Sequence, residues 1–235
     1  MRTMEMALVE FRRHLKVKDI SLYDSICDCQ INPILINGYP IELHSMMKEG
    51  GLALMQEPLQ FTRLLRLAQA HDVKSFIQIG IGDGGDFILL VEYLASIGRN
   101  VTSWAIDHNV TPQFYRYVHD CDPGAFWGVT VEIKIIPFHP NQFPFGLKIP
   151  RFDLGIVDSE HGHEIRRANM MRLDSCSDML AVHDVSEIQT VMAAWNEYRA
   201  TSGRRWSLIN DQQPSVEITN KPICGYGILW PKDKP

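Results

Sequence analysis

The stretch FIQIGIGDGGDF, residues 76–87, sets Gly80, Gly82, Gly84 and Gly85 between an apolar run and the apolar segment ILLVEYLASIG. Bare backbone at such a junction lets a ligand approach the chain closely and tolerates the positive φ that a tight turn demands. The next apolar run, SWAID, ends in Asp107, where a carboxylate can accept hydrogen bonds from both hydroxyls of a ribose. Further along, DSEHGHE carries His161 and His163, side chains that titrate near neutrality and can take up a proton.

Gly80, Gly82 and Gly85 satisfy the spacing G-x-G-x-x-G, so a dinucleotide ligand is formally allowed. That loop serves to seat a pyrophosphate on a helix N-terminus, and here Asp83 and Asp86 place two negative charges beside it. A cationic or zwitterionic nucleoside is tolerated far better, which favours S-adenosylmethionine. The plain alternative is a glycine turn that serves only close helix-strand packing.

The elements that position these residues alternate. SFIQIG, VTSWAID, VTVEIKIIP, FDLGIVD and MLAVHD read as strands. Between them DFILLVEYLASIG, TPQFYRYVHD and HEIRRANMMRLDSC read as helices, the first closed by Gly98, and SEIQTVMAAWNEYRAT follows as a helix capped by Ser186. Upstream, EPLQFTRLLRLAQAHDV puts Phe61, Leu64, Leu65, Leu67 and Ala68 on one helical face. Strand-helix alternation implies an α/β fold, Rossmann-like and doubly wound. The last two strands, RRWSLIN and ICGYGILW, have no helix between them and should pair as a hairpin. The expectation is a mostly parallel seven-stranded sheet with an antiparallel C-terminal hairpin. Residues 57–235 form this domain, and residues 1–56 read as a cap, lid or oligomerisation segment that leaves a homo-oligomer open.

Composition limits the alternatives. The 235 residues, 45% hydrophobic and 22% charged, suit one large core. A net charge of -5 supplies no general basic field for nucleic acid. No apolar run approaches the roughly 18 residues of a membrane span, and the first residues do not resemble a secretory signal. The cysteines, 5 in all and scattered, point to reduced thiols and a cytoplasmic protein. Cys27 and Cys29 form a C-x-C pair with no second pair nearby in the sequence to complete a metal site.

Five segments together resemble the class I S-adenosylmethionine-dependent methyltransferases: VKSFIQIGIGDGGDFILLVEYL, SWAIDHN, RFDLGIVDSEHGHEIRRAN, MLAVHDV and ICGYGILW. Within that class they are similar to the small-molecule O-methyltransferase and cephalosporin-hydroxylase-like branch, over roughly residues 57–230. The resemblance implies that Gly80, Gly82 and Gly84 face the methionine moiety, that Asp107 holds the ribose, and that Asp158 lies near the sulfonium and the acceptor. It also implies a divalent cation held by Asp158, His183 and Asp184. An oxygen-rich site favours Mg2+, whereas a share taken by His183 or His161 favours Mn2+, Fe2+ or Zn2+. Two departures stand out. Gln78 occupies a cofactor-facing position where the family places an acid, so a hydrogen-bonding role remains there but a charge does not, and DSEH replaces Asp-Gly-Asp-His, giving Ser159 and Glu160.

Methyl transfer from a sulfonium is an in-line displacement, so the protein must align donor and acceptor and leave the acceptor oxygen deprotonated. His161 is the candidate base or orienting group; a metal at Asp158 and Asp184 would instead lower the acceptor's pKa. His163 reads as an ordinary loop residue, Trp104 as core, and Arg166, Arg167 and Arg172 as a solvated helix face. The loop FHPNQFPF, with Phe138, His139, Phe143 and Phe145, lines an acceptor pocket or covers a dimer contact. The expected activity is O-methylation of a small molecule. A non-catalytic nucleoside-binding protein and an NAD-dependent oxidoreductase are the alternatives.

Overall fold

A computed structural model of the chain describes residues 4–17, 21–22, 56, 58–139, 148–186, 188–210 and 225–231. The Cys27–Cys29 pair, Cys224, Phe143 and Phe145 lie outside the described residues. In chain order the elements are α1 (Met4–Lys16), α2 (Pro58–Ala70), β1 (Ser75–Ile79), α3 (Gly85–Ser96), β2 (Val101–Ile106), α4 (Pro112–Asp120) and α5 (Pro123–Trp127). They continue as β3 (Val131–Ile136), β4 (Phe152–Val157), α6 (His163–Cys176), β5 (Ser177–His183), α7 (Gln189–Thr201), β6 (Trp206–Ile209) and β7 (Tyr226–Leu229).

The strands form one 7-stranded sheet in the order β3-β2-β1-β4-β5-β7-β6. β1 to β5 pair in parallel, and β7 runs antiparallel to both β5 and β6. The expected hairpin is therefore present, with its second strand inserted between β5 and β6.

Alternation along each central strand divides the core between the two faces. Phe76, Leu154, Ile156, Met179 and Ala181 join one apolar cluster, with Phe61, Leu64, Leu65 and Ala68 of α2 and Phe87 of α3. Ile77, Ile79, Val157, Leu180 and Val182 join the other, with Met170 and Leu173 of α6 and Val191 and Trp195 of α7. Helices cover both faces, which is why the parallel strands read as continuous apolar runs rather than alternating ones. α1 belongs to the same body, since its Leu8 and Phe11 are buried in the first cluster.

Local signals explain most boundaries. Gly98, at φ 82, ends α3 in the left-handed conformation that glycine adopts cheaply. Thr111 caps α4 by accepting from the Phe114 amide at 3.3 Å, with Pro112 in the first turn. Ser186 does not cap α7. That helix begins at Gln189 behind Ile188, which makes no side-chain cap bond. Ser186 instead packs on Gly225, where a Cβ would lie 2.4 Å from its hydroxyl oxygen. The short helix α5 was not anticipated; Asp122 starts it by accepting from the Ala125 amide at 3.0 Å.

Candidate active site

The site lies beyond the carboxyl ends of β1, β2, β4 and β5, where the connections leave on opposite sides of the sheet. The turn after β1 is tied to both neighbours: the Gly80 amide donates to Ile106 O at 2.9 Å, and the Asp158 amide donates to Ile79 O at 2.9 Å. Gly80, Gly82 and Gly84 all take positive φ, at 85, 52 and 81°. A Cβ on Gly80 would meet Asp158 O at 2.1 Å, and one on Gly84 would meet the Phe114 ring at 2.3 Å. Those two glycines therefore admit protein against the turn, whereas no described residue lies within 4 Å of the corresponding point on Gly82.

Asp107 is buried and organises the same turn. Its Oδ2 accepts from the Ile81 and Gly82 amides at 2.7 and 3.2 Å, and its Oδ1 accepts from the Asn109 amide at 2.9 Å. His108 Nδ1 lies 3.3 Å from Oδ1.

Gln78, on the last turn of pleat before Gly80, donates through Nε2 to Gly80 O at 2.9 Å and to Asp86 Oδ2 at 2.6 Å. Gln56 Nε2 joins Asp86 to the β4 end, lying 3.4 Å from Asp86 Oδ2 and 2.8 Å from Asp158 Oδ2. Burial pushes the Asp86 carboxyl up to about 7, aided by the negative charge of Asp158 and opposed by the Gln78 hydrogen bond.

Asp158, His183 and Asp184 converge, each offering a ligand atom within 4.8 Å of the others. His183 Nδ1 lies 3.0 Å from Asp158 Oδ1 and 3.3 Å from Asp184 Oδ1. Asp184 follows β5 at φ 64, a left-handed conformation uncommon for an aspartate and costly enough to mark a constrained position. Burial alone would raise its carboxyl. Hydrogen bonds from His161 and His183, with the charges of His183 and Arg166, instead hold it well below the usual carboxylate range. His161 Nε2 lies 3.2 Å from Asp184 Oδ2 while most of its ring is exposed, and a proton held at Nε2 leaves Nδ1 as the acceptor nitrogen.

Arg166 is not on a solvated face. Its side chain is 0% exposed, and it donates to Val157 O at 3.0 Å and also to Ser159 O, with Asp184 Oδ2 3.7 Å away. On α6 it shares the stripe of Asn169, Met170 and Leu173, so the helix carries it inward beneath the β4 loop. Asn169 Nδ2 then donates to Ser159 Oγ at 2.9 Å, fixing the loop after β4. Arg167 and Arg172 remain half-exposed, the former 2.9 Å from Glu197. His163 also turns to Glu197, at 3.1 Å. Trp104 is half-buried, edge-on to Phe152 and under the Lys134 ammonium. His139, at the start of the aromatic loop, lies 3.1 Å from Glu160 and packs against His108 at a ring separation of 4.4 Å.

Solved structures share this fold. An O-methyltransferase from Bacillus cereus, in complex with SAH, aligns at 14% identity over 88% of this chain and 96% of its own, with a TM-score of 0.53. The O-methyltransferase TomG from Streptomyces achromogenes, involved in tomaymycin synthesis and bound to SAM, aligns at 16% identity over 98% and 99%, TM-score 0.53. The SAH-bound methyltransferase PaMTH1 from Podospora anserina aligns at 13% identity over 97% and 88%, TM-score 0.52. The chain has the Rossmann-like methyltransferase fold. No protein-family model matches the sequence, and no curated protein sequence does.

Within the methyltransferase fold, sequence reasoning named Gln78, Asp107, Asp158, His161, His183 and Asp184, and all six lie at this end of the sheet. It missed Gln56, the position of Asp86 and the burial of Arg166. The 166, 169, 170, 173 spacing of Arg166 with Met170 and Leu173 was the available signal for the last. Gln56 carried none, since its role depends on how the chain before α2 is routed.

Proposed function

We propose that this protein is an S-adenosylmethionine-dependent methyltransferase that O-methylates a small molecule, assisted by a divalent cation. The observation that carries the reading is the convergence, at the carboxyl ends of adjacent parallel strands, of an open glycine turn, Asp107, and the Asp158–His183–Asp184 cluster. The SAM- and SAH-bound neighbours of the same fold support it.

Gly82 offers the open backbone against which a nucleoside can lie. Asp107 Oδ2 is committed to the turn amides, so Oδ1 serves a ribose hydroxyl, in exchange for the His108 contact. The cofactor supplies a methyl group made electrophilic by its sulfonium. Asp158 lies toward that group and the acceptor. His161, oriented by Asp184, takes the acceptor proton at Nδ1. Two carboxylates and an imidazole suit a divalent cation, which would lower the acceptor's pKa when bound. His139 meets Glu160, which precedes His161 in the chain, and this favours an acceptor-side role for His139.

In the N-terminal segment, α1 serves as a cap docked on the domain through Leu8 and Phe11. No helix among the described residues is long and apolar enough to cross a membrane. The scattered thiols suit a cytoplasmic enzyme.

Isothermal titration with S-adenosylhomocysteine tests the reading, repeated with Asp107→Ala and with Mg2+ or a chelator. Binding abolished by the substitution is the expected result. Absence of binding in every condition overturns it, and binding without transfer to any acceptor points to a non-catalytic nucleoside-binding protein.

A further inference from the structure

The pair Gln78 and Asp86 poses a problem of unmet hydrogen bonding. Gly80 O can only accept, as can Asp86 Oδ2 when ionised, so the amide must present Nε2 to them. Its Oε1 is then turned away, buried, and without a hydrogen-bond partner among the described residues. Beside it, Asp86 is a 7% exposed residue at the start of α3. Among the described residues no lysine or arginine forms an ion pair with it, and the charged groups acting on it are Asp158 and His183. A buried carboxylate with no strong counter-charge and a buried carbonyl oxygen with no donor are each costly to keep. One ligand group answers both, a cation with several N–H donors.

We propose that Asp86, oriented by Gln78, recognises the ammonium group of an amino-acid-bearing nucleoside, so that the acid missing from β1 is supplied by the first turn of α3. The inference rests on the donor-site reading above and adds a selectivity determinant to it. A pyrophosphate meets repulsion from Asp86, whereas a zwitterionic amino acid places its ammonium there. Gln78 is a positioning residue, because it acts by holding the carboxylate in place. The competing explanation is that Asp86 only complements the positive end of α3. In that case its loss would lower stability and weaken every ligand alike.

The test pairs a ligand change with a protein change. Calorimetric affinities are measured for S-adenosylhomocysteine and for its desamino analogue, in which hydrogen replaces the α-ammonium, against wild type, Asp86→Asn and the double variant Gln78→Glu/Asp86→Asn. Loss of a charge-assisted hydrogen bond should weaken wild-type binding of the analogue by about 30-fold. Asp86→Asn should weaken S-adenosylhomocysteine by a similar factor but change the analogue by no more than about 2-fold. The double variant returns a carboxylate to β1 and should restore discrimination; it also keeps the test open should the single variant fail to fold. Equal weakening of both ligands by Asp86→Asn, or no discrimination by wild type, overturns the inference while leaving the donor site standing. Failure of wild type to bind S-adenosylhomocysteine removes the donor site and the inference with it.

Discussion

Arg12 on α1 grips Glu92 on α3 through two hydrogen bonds, Nε to Oε2 at 2.9 Å and Nη2 to Oε1 at 2.7 Å, across 80 residues of sequence. Glu92 is 0% exposed and also accepts from Tyr117 Oη at 2.9 Å and Trp127 Nε1 at 2.7 Å. A buried carboxylate so fully satisfied ties the first helix, α4 and α5 to one point on α3. Removing one member of such a pair leaves a charge uncompensated. Arg12→Ala should therefore destabilise the protein by about 3 kcal/mol, read as a lower urea midpoint with an unchanged slope. A merely transient docking of α1 would leave the midpoint where it is.

The glycine turn separates packing from access. Gly80→Ala forces a Cβ onto Asp158 O at 2.1 Å, against backbone that cannot move aside cheaply. A loss of about 3 kcal/mol is expected. Gly82→Ala meets no described residue within 4 Å and carries only the left-handed strain of its φ of 52°, about 1 kcal/mol. Thermal denaturation of the two variants measures the contrast; equal losses would mean that the turn is not packed as described.

Asp86 gives the protein a pH signature. Its folded carboxyl is pushed up to about 7, above its unfolded value, so between about pH 4 and 7 the folded state binds more protons than the unfolded one. Stability from this group is complete below that window and is lost as pH rises through it. Asp86→Asn should remove the loss, raising Tm at pH 7.5 and leaving it nearly unchanged at pH 4. A lower Tm at pH 7.5 would count against this account.

Arg166 is the cation beneath the acidic end of the sheet. Burial lowers its pKa, while Asp158 and Asp184 act to raise it. Arg166→Met strips donors from Val157 O and Ser159 O and leaves Asp184 without its guanidinium neighbour. The expected cost is about 3 kcal/mol in chemical denaturation. Arg166→Lys should recover little of it, because one ammonium cannot reproduce a planar fork of donors.

Strand and helix placement was legible because burial and period act locally. β1, β2, β4 and β5 are apolar runs bounded by turn residues, and the stripe of Phe61, Leu64, Leu65 and Ala68 reads directly as a buried helix face. Ser186 misled because a serine before an apolar stretch favours a cap only when no other partner competes, and Gly225 lies across from it in the folded chain.

The sequence by itself determined the alternation of elements, the glycine turn and the chemical types at each strand end, since these depend on backbone propensity, hydrophobic period and residue identity. Tertiary structure alone decided the partnerships. Side chains 8, 25, 80 and 102 residues apart meet in Gln78–Asp86, His183–Asp158, Arg12–Glu92 and Gln56–Asp158. Such contacts follow from strand order and helix docking, which no local pattern encodes. The same packing turns Arg166 from a surface charge into a buried clamp, and sets Asp86 and Asp184 on opposite sides of the ordinary carboxylate range, because burial and neighbouring charge act through space rather than along the chain.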